Sequence, residues 1–377
     1  MSDGTTLRAE FLLDPDVTFL NHGSFGAVPR AVFARYQEWQ RELEREPVFF
    51  LARRLEGLLA KARKALGEYV GADPDDLVFV SNATSGVNIA AWPLGLRPGD
   101  EVLSTNLEYG ALDLTWEHVC GDFGARYVRK PIPLPLGDDQ EVAETIWGGV
   151  NERTRVLYLS HHTSTTALTL PVEELCRRAR ERGIVTVIDG AHVPGHFALN
   201  LRELDPDFYS GNCHKWLCAP KGAGFLYVRR DLQSNVHPLV FSWGYEGDDQ
   251  TFVGRHQKQG TRDPSAYLTV PDAIEWQQSH DWHLVRARCH ELARRAAREL
   301  HLSPVVPDTR HGRYGQMVSL QLPEDAPADL QERLFDEYRI EIPVSDRESP
   351  RLIRASFQGY NDEEDLERLK AALGELL

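Results

Sequence analysis

Short apolar runs alternate with longer stretches of helical periodicity through the middle of this 377-residue chain. Leu77-Val-Phe-Val80, Glu101-Val-Leu-Ser104, Val156-Leu-Tyr-Leu-Ser160 and Val185-Thr-Val-Ile188 are too short for buried helices and apolar enough for buried strands. Between them lie amphipathic stretches such as Pro171–Arg182, which has a basic face and a stop at Gly183. Strands with no polar face must be covered on both sides. The pattern therefore predicts a mostly parallel sheet sandwiched between helices. Upstream, Pro29 to Val70 is expected to form one or two amphipathic helices interrupted near Pro47. Past Gly260 the order changes. An amphipathic segment from about Ser265 to Leu300 precedes a strand at Gln316–Leu322, a helix at Ala328–Tyr338, a strand at Leu352–Ser356 and a closing helix at Asp362–Leu376. That order predicts a smaller α+β domain with its boundary near Gly260.

Composition narrows the partners. A formal net charge of −15 argues against non-specific binding to nucleic acid or anionic membranes, though local arginines can still make a pocket for a small anion. The start, Met1 to Glu10, lacks the basic-then-apolar order of a signal peptide, and no run of about 18 apolar residues is present to span a bilayer. Five cysteines without CxxC spacing read as reduced thiols, and the expected address is the cytoplasm.

Chemistry concentrates at strand ends. Lys215 lies between His214 and Trp216, with Phe208, Leu217 and Pro220 making an apolar neighbourhood. Such surroundings lower a lysine's pKa and make its amine a nucleophile toward carbonyls. Asp189 closes the run Thr186-Val-Ile-Asp189, where an acid can hold a protonated pyridine nitrogen; together the two point to pyridoxal phosphate (PLP). Ser81-Asn-Ala-Thr-Ser-Gly-Val-Asn88 reads as a strand-to-helix turn, a seat for phosphate or simply a capped helix. Tyr109 follows another strand and suits either stacking on a ring or packing at a surface. Ser160-His-His-Thr-Ser-Thr-Thr166 sits at a third strand end, where open α/β sheets bind ligands. The pairs His161-His162 and His192/His196 are poor metal sets: adjacent histidines diverge, and Pro194-Gly195 breaks a helix; no metal site is expected. Arg354, in a short strand, suits either a bidentate grip on a carboxylate or a structural ion pair.

Taken in order, Phe19-Leu-Asn-His-Gly-Ser-Phe-Gly-Ala-Val-Pro29, Ser81–Asn88, Asp189-Gly-Ala-His192, His214-Lys215-Trp216 and Arg354 with Tyr360-Asn361 resemble class V aminotransferase-type enzymes, within them the isopenicillin N epimerase-like branch. These are fold-type I PLP proteins, and the resemblance runs from about Phe19 to the C-terminus. It implies a large PLP-binding α/β domain over residues 26–260 and a small α+β domain from 1–25 with 261–377. It implies that Lys215 carries the cofactor, Asp189 pairs with the pyridine nitrogen and Tyr109 stacks on the ring. Ala83 and Thr84 would contact phosphate, with Asn212 and His214 nearby. Ser164 would lie near the ring hydroxyl and His192 beside the cofactor. Thr261 would reach the phosphate across a homodimer interface. Arg354 would hold the substrate carboxylate, with Asn21 and His22 close to the substrate.

Cofactor and fold do not name the reaction. Lys215 would be the general base at Cα. Epimerisation needs a second acid, for which Tyr109 and His22 are candidates, or a relocated lysine. A C–S lyase or an aminotransferase on the same scaffold is the alternative. A persulfide-forming desulfurase is disfavoured: residues 290–377 contain no cysteine, and Ser345–Ser349 occupies the approximate region of the desulfurase nucleophile. A metal hydrolase or a non-catalytic binding protein would leave the lysine, aspartate and arginine set unexplained.

Overall fold

Seven strands, six of them buried, form the central sheet of the computed structural model, which describes residues 7–135, 137–246, 249–306, 315–345 and 350–377. After the two-residue β1 (Thr18–Phe19) they are β2 (Leu77–Val80), β3 (Glu101–Thr105), β4 (Arg126–Lys130), β5 (Thr154–Ser160), β6 (Val185–Gly190), β7 (Phe208–Asn212) and β8 (Gly224–Val228). Their spatial order is β2-β8-β7-β6-β5-β3-β4, and β8 is antiparallel to both its neighbours while the other pairings are parallel. Period-2 side chains feed two cores: Leu77, Phe79, Leu157 and Ile188 pack on one face, and Val78, Val80, Val156 and Val187 on the other. This is the two-sided burial that the apolar runs predict. The architecture is the mostly parallel, helix-covered α/β sheet that the sequence pattern predicts, with a smaller α+β part.

A second sheet lies beyond it, built from β9 (Ser303–Pro304), β10 (Met317–Gln321), β12 (Val344–Ser345) and β13 (Leu352–Ser356) in the order β12-β13-β10-β9; β11 (Ile340–Glu341) pairs instead with β1. That pairing places the N-terminal segment against β13, where the Leu20 carbonyl accepts from the Ser356 N–H at 2.9 Å. The closing helix, Glu363–Leu376, is fixed by an Asp362/Asp365 capping box.

Two expectations shift. The segment from Ser265 to Leu300 is three helices, Ser265–Leu268, Val270–Ser279 and Trp282–Glu299. Pro271 at the second helix's start and Asp281 at φ 47° interrupt it. The interruption near Pro47 is a short helix, Pro47–Phe49, running into a π-helical turn, Phe50–Arg54, before the helix Leu55–Val70. Residues 346–349 of the Ser345–Ser349 segment, and residues 1–6 of the N-terminus, lie outside the described residues.

One glycine ties the N-terminal segment to the central sheet. Gly26 has φ 70°, and a Cβ there would sit 2.2 Å from the His214 carbonyl oxygen and 3.0 Å from the Lys215 Cα. The Lys221 ammonium donates to the Gly26 carbonyl from the other side at 2.9 Å. Gly26→Ala is expected to cost about 1–3 kcal/mol in urea unfolding, since the strained φ adds to a backbone collision. An unchanged midpoint would rule out this close approach.

Candidate active site

Loops from the carboxyl ends of the parallel strands converge on one cavity of about 300 Å3, which includes Thr84, Tyr109, Asp189, His192, His214 and Lys215 on its wall. The place follows from topology: β3 and β5 are neighbours although the chain leaves them for opposite sides, and ligands collect at such switch points. Glu108 stitches that gap, its carboxylate accepting from the Ser160 N–H at 2.7 Å and the Thr105 hydroxyl at 2.7 Å. Burial pushes its pKa up to about 7 despite those two donors.

On one wall of the cavity, the helix Ala83–Ala91 starts on Asn82, whose Oδ1 accepts from the Ser85 N–H at 2.8 Å. Asn212 crosses from β7 and accepts from the Ala83 N–H at 2.7 Å. Among the described residues, the Thr84 N–H between them has no hydrogen-bond partner. A helix N-terminus with an open N–H suits an anion. His214 donates from Nδ1 to the Ala223 carbonyl at 2.8 Å, which leaves Nε2 bare in neutral imidazole, and burial brings its pKa to about 4.

Lys215 and Asp189 share the cavity without touching a counter-ion. Burial and the nearby Arg354 push the lysine well below its ordinary value, while Asp189 opposes them. Burial pushes Asp189 up, against the Ala191 N–H that donates to its Oδ1 at 2.9 Å. The Lys215 Nζ lies 3.0 Å from His192 Nε2. A lysine held this way has the free-base character that carbonyl chemistry requires.

Arg354 is the opposite pole. β13 carries it into the interior, where it is 7% exposed. Its guanidinium donates to the Ser164 carbonyl at 2.7 Å, the Ser164 hydroxyl at 3.3 Å and the Ser24 hydroxyl at 3.0 Å, with Asn21 Oδ1 at 3.5 Å. Its Nε has no partner, and among the described residues no carboxylate pairs with it. Burial alone lowers its pKa to about 10. A buried cation without an anion is costly, so this arrangement is explained best by an anion that arrives with a ligand.

The other expected residues divide. Ala83, Asn212 and Ser164 line the cavity. Asn21 lies beneath it, its amide donating to Glu341 at 2.9 Å. His22 is fully buried and outside the cavity wall, its ring nitrogens meeting the Tyr360 hydroxyl at 3.0 Å and the Lys215 carbonyl at 3.1 Å. There it supports the lysine's main chain, since the N-terminal segment packs under the lysine loop. Tyr109 is 46% exposed at the mouth. Thr261 is exposed and absent from this wall. Sequence reasoning missed Ser24, Phe25 and Glu108; each matters through tertiary pairing that no local pattern announces. His162, on the wall, bonds Thr169 through Nδ1 at 2.9 Å, and its Nε2 has no partner.

Burial holds these histidines neutral, with His22 at about 3, His161 at about 4 and His162, His192 and His196 well below the ordinary 6.5. Below pH 6.5 the unfolded chain then binds more protons than the folded one, so stability present above 6.5 is lost as pH falls toward 4. Glu108 at about 7 and Asp207 at about 6 act oppositely, favouring the folded state at low pH. The histidines outnumber them, so Tm is expected to fall by several degrees between pH 6.5 and 4.5 at constant salt. A Tm that rises on acidification would contradict this burial.

The comparisons with known proteins follow the same geometry. The family model described as aminotransferase class-V matches residues 25–369. The chain is 39% identical over 390 residues to an isopenicillin N epimerase of Amycolatopsis lactamdurans, covering 98% of this chain and 97% of that protein. It is 28% identical to a probable chloroplastic L-cysteine desulfhydrase of Arabidopsis thaliana, covering 97% of this chain and 84% of that one. Among solved structures, the cystine C-S lyase C-DES in complex with cysteine persulfide superposes with a TM-score of 0.84 at 24% identity, covering 96% of this chain and 98% of that one.

Proposed function

We propose, since this chain belongs to the class V aminotransferase family, that it is a PLP-dependent enzyme acting at Cα of an amino acid with isopenicillin N epimerase-like chemistry. The observation that carries this reading is a cavity lined by Lys215 and Asp189, with Arg354, which no carboxylate pairs among the described residues, bonded directly behind its lining residues Ser164 and Ser24. The residues fit the cofactor: a neutral amine for its aldehyde, a buried carboxyl for its pyridine nitrogen, and an unpartnered Thr84 N–H at a helix start for its phosphate. Bound there, PLP supplies an electron sink that makes the Cα proton acidic.

The chain's own residues do the rest. Arg354 grips the substrate carboxylate and gains the anion it otherwise lacks. Ser24, Ser164 and Asn21 hold the guanidinium in place for that grip. Lys215 takes the Cα proton. Return of a proton on the other face falls to Tyr109 at the mouth, His22 being occupied behind the lysine loop. Similarity to the epimerase favours isopenicillin N as substrate. The second reading is a C–S lyase, favoured by the full-length similarity to the desulfhydrase. Incubation with isopenicillin N and with L-cysteine in D2O separates them. Epimerisation gives deuterium at Cα and the inverted isomer, whereas a lyase releases sulfide and ammonia. Neither product would sink both readings.

Two variants test the roles. Lys215→Ala is expected to lose the visible absorption band of covalently held cofactor and its sensitivity to borohydride; a band that persists unchanged would exclude Lys215 as the attachment point. Arg354→Lys should raise KM far more than it lowers kcat, with kcat/KM falling by about 2–3 kcal/mol, since a bidentate fork becomes a point charge. An unchanged KM would remove Arg354 from substrate binding.

The assembly is a homodimer in this reading, with the large and small domains divided as 26–260 against 1–25 with 261–377. The segment 239–243 exposes Leu239, Val240, Phe241 at 63% and Trp243 at 82%, and Trp243 shares a cleft with the π-helical turn Phe50–Arg54. A contiguous apolar surface of this kind marks a protein interface. A second copy would cover it and bring Thr261 to the partner's phosphate site. No helix among the described residues is long and apolar enough to cross a membrane, and all five cysteines are free and buried, which supports the reducing cytoplasm as its address. Light scattering on wild type should give twice the chain mass and Trp243→Asp should shift it toward monomer. A monomeric wild type would overturn the dimer.

A further inference from the structure

We propose that Trp216 and the Gln316 backbone fix the proton positions of His192 and His196, so that His192 presents an N–H to the Lys215 nitrogen. The placement stands on hydrogen-bond polarity; its chemical consequence rests on the PLP reading above.

Each contact in this chain has one partner whose role is not negotiable. The Trp216 indole Nε1–H can only donate, and it lies 3.3 Å from His192 Nδ1. That nitrogen therefore accepts. A neutral imidazole carries one ring proton, so it sits on Nε2, the atom 3.0 Å from Lys215 Nζ. An ammonium has no acceptor, and only the free amine can receive this bond. The contact thus selects the uncharged lysine, the form that attacks a carbonyl. The groups facing Lys215 divide accordingly: burial and Arg354 oppose the ammonium and Asp189 favours it, and the His192 N–H adds to the first two.

His196 is fixed in the opposite tautomer. The Gln316 main-chain N–H donates to its Nε2 at 2.6 Å, and its Nδ1–H donates to the His192 carbonyl at 3.0 Å. The indole cannot swing away from this pair. It stacks on His196 with centroids 4.1 Å apart and an interplanar angle of 20°, packs 4.9 Å from His22, and closes on Gly195, where a Cβ would fall 2.3 Å from the Trp216 carbonyl carbon. Gln316 stands directly before β10, the strand paired with the one that carries Arg354. Docking of the second sheet thereby fixes the His196 ring, which stacks on the indole that sets the His192 proton. Trp216 and His196 are positioning residues.

The test is 15N-histidine NMR on the full-length holoenzyme, with the His192 signals assigned by their loss in His192→Gln. Wild type should show His192 protonated at Nε2 and bare at Nδ1. Trp216→Phe keeps a stacking ring and removes only the donor, so its His192 should populate the Nδ1–H tautomer. Cofactor-stripped Trp216→Phe should also capture added PLP at pH 7 roughly fivefold more slowly, the effect of about one unit's rise in the lysine pKa. A wild-type His192 protonated at Nδ1 would overturn the proposal, and that spectrum decides the matter even if the variant fails to fold. An unaltered tautomer and capture rate in a folded Trp216→Phe would overturn it equally. Wild type with the assigned tautomers but no PLP capture would uphold the proton placement and defeat the cofactor reading.

Discussion

Desolvation of charge is the constraint on which the rest of this structure depends. Lys215, Asp189, Arg354 and Glu108 are brought into one interior, and none of the first three touches an oppositely charged side chain. Folding alone gains nothing from that. Each such group costs free energy that the two sheet-face cores must offset, and hydrogen bonds to serines, asparagines and main-chain atoms recover only part of it. The surface shows how differently this chain treats charge when no site is at stake: helix Val172–Glu181 lays Arg177 and Arg178 against Glu174, Glu181 and Glu144. The protein does not lack acids for Arg354; among the described residues none pairs with it.

This separation of poles organises the fold around it. Asp189 must end a parallel strand and Lys215 must follow the next one, which fixes them on the same edge of the central sheet. Arg354 must come from elsewhere, because no loop on that edge can approach from the opposite side. The second sheet supplies it, and the N-terminal segment locks the two sheets together. β1 pairs with β11, Leu20 meets Ser356, and Gly26 packs against the His214 and Lys215 backbone. His22, sitting between Tyr360 and the Lys215 carbonyl, belongs to this lock.

What the sequence disclosed follows the same division. The strands buried on both faces were legible because burial there leaves no polar position, and Lys215, Asp189 and Arg354 were legible because their chemistry is conspicuous in apolar or strand-like surroundings. β4, Arg126-Tyr-Val-Arg-Lys130, was not: it is the edge strand, with Arg126 and Arg129 exposed, and charge there guards an unpaired edge without an apolar signature. The helical periodicity from Ser265 to Leu300 hid two breaks, since Pro271 near a helix start and Asp281 in a left-handed conformation leave the apolar spacing almost undisturbed. Glu108 was passed over beside Tyr109 for a related reason. A carboxylate reads as a surface group until its donors, the Ser160 N–H and the Thr105 hydroxyl, are seen to close around it.

The placement of His22 bears on how stereochemistry is controlled. An epimerase must deliver a proton to each face of one carbon, and in the proposed reading Lys215 serves one of them. The wall also carries two exposed aromatic residues, Tyr109 at 46% and Phe25 at 73%, of which Tyr109 is ionisable. In the proposed reading, proton delivery on the other face falls to the exposed Tyr109, whereas Lys215 acts from the interior. A lyase has no such need, because loss of a leaving group replaces the second proton transfer. The two readings separate at Tyr109, and the interior set of Lys215, Asp189 and Arg354 serves both.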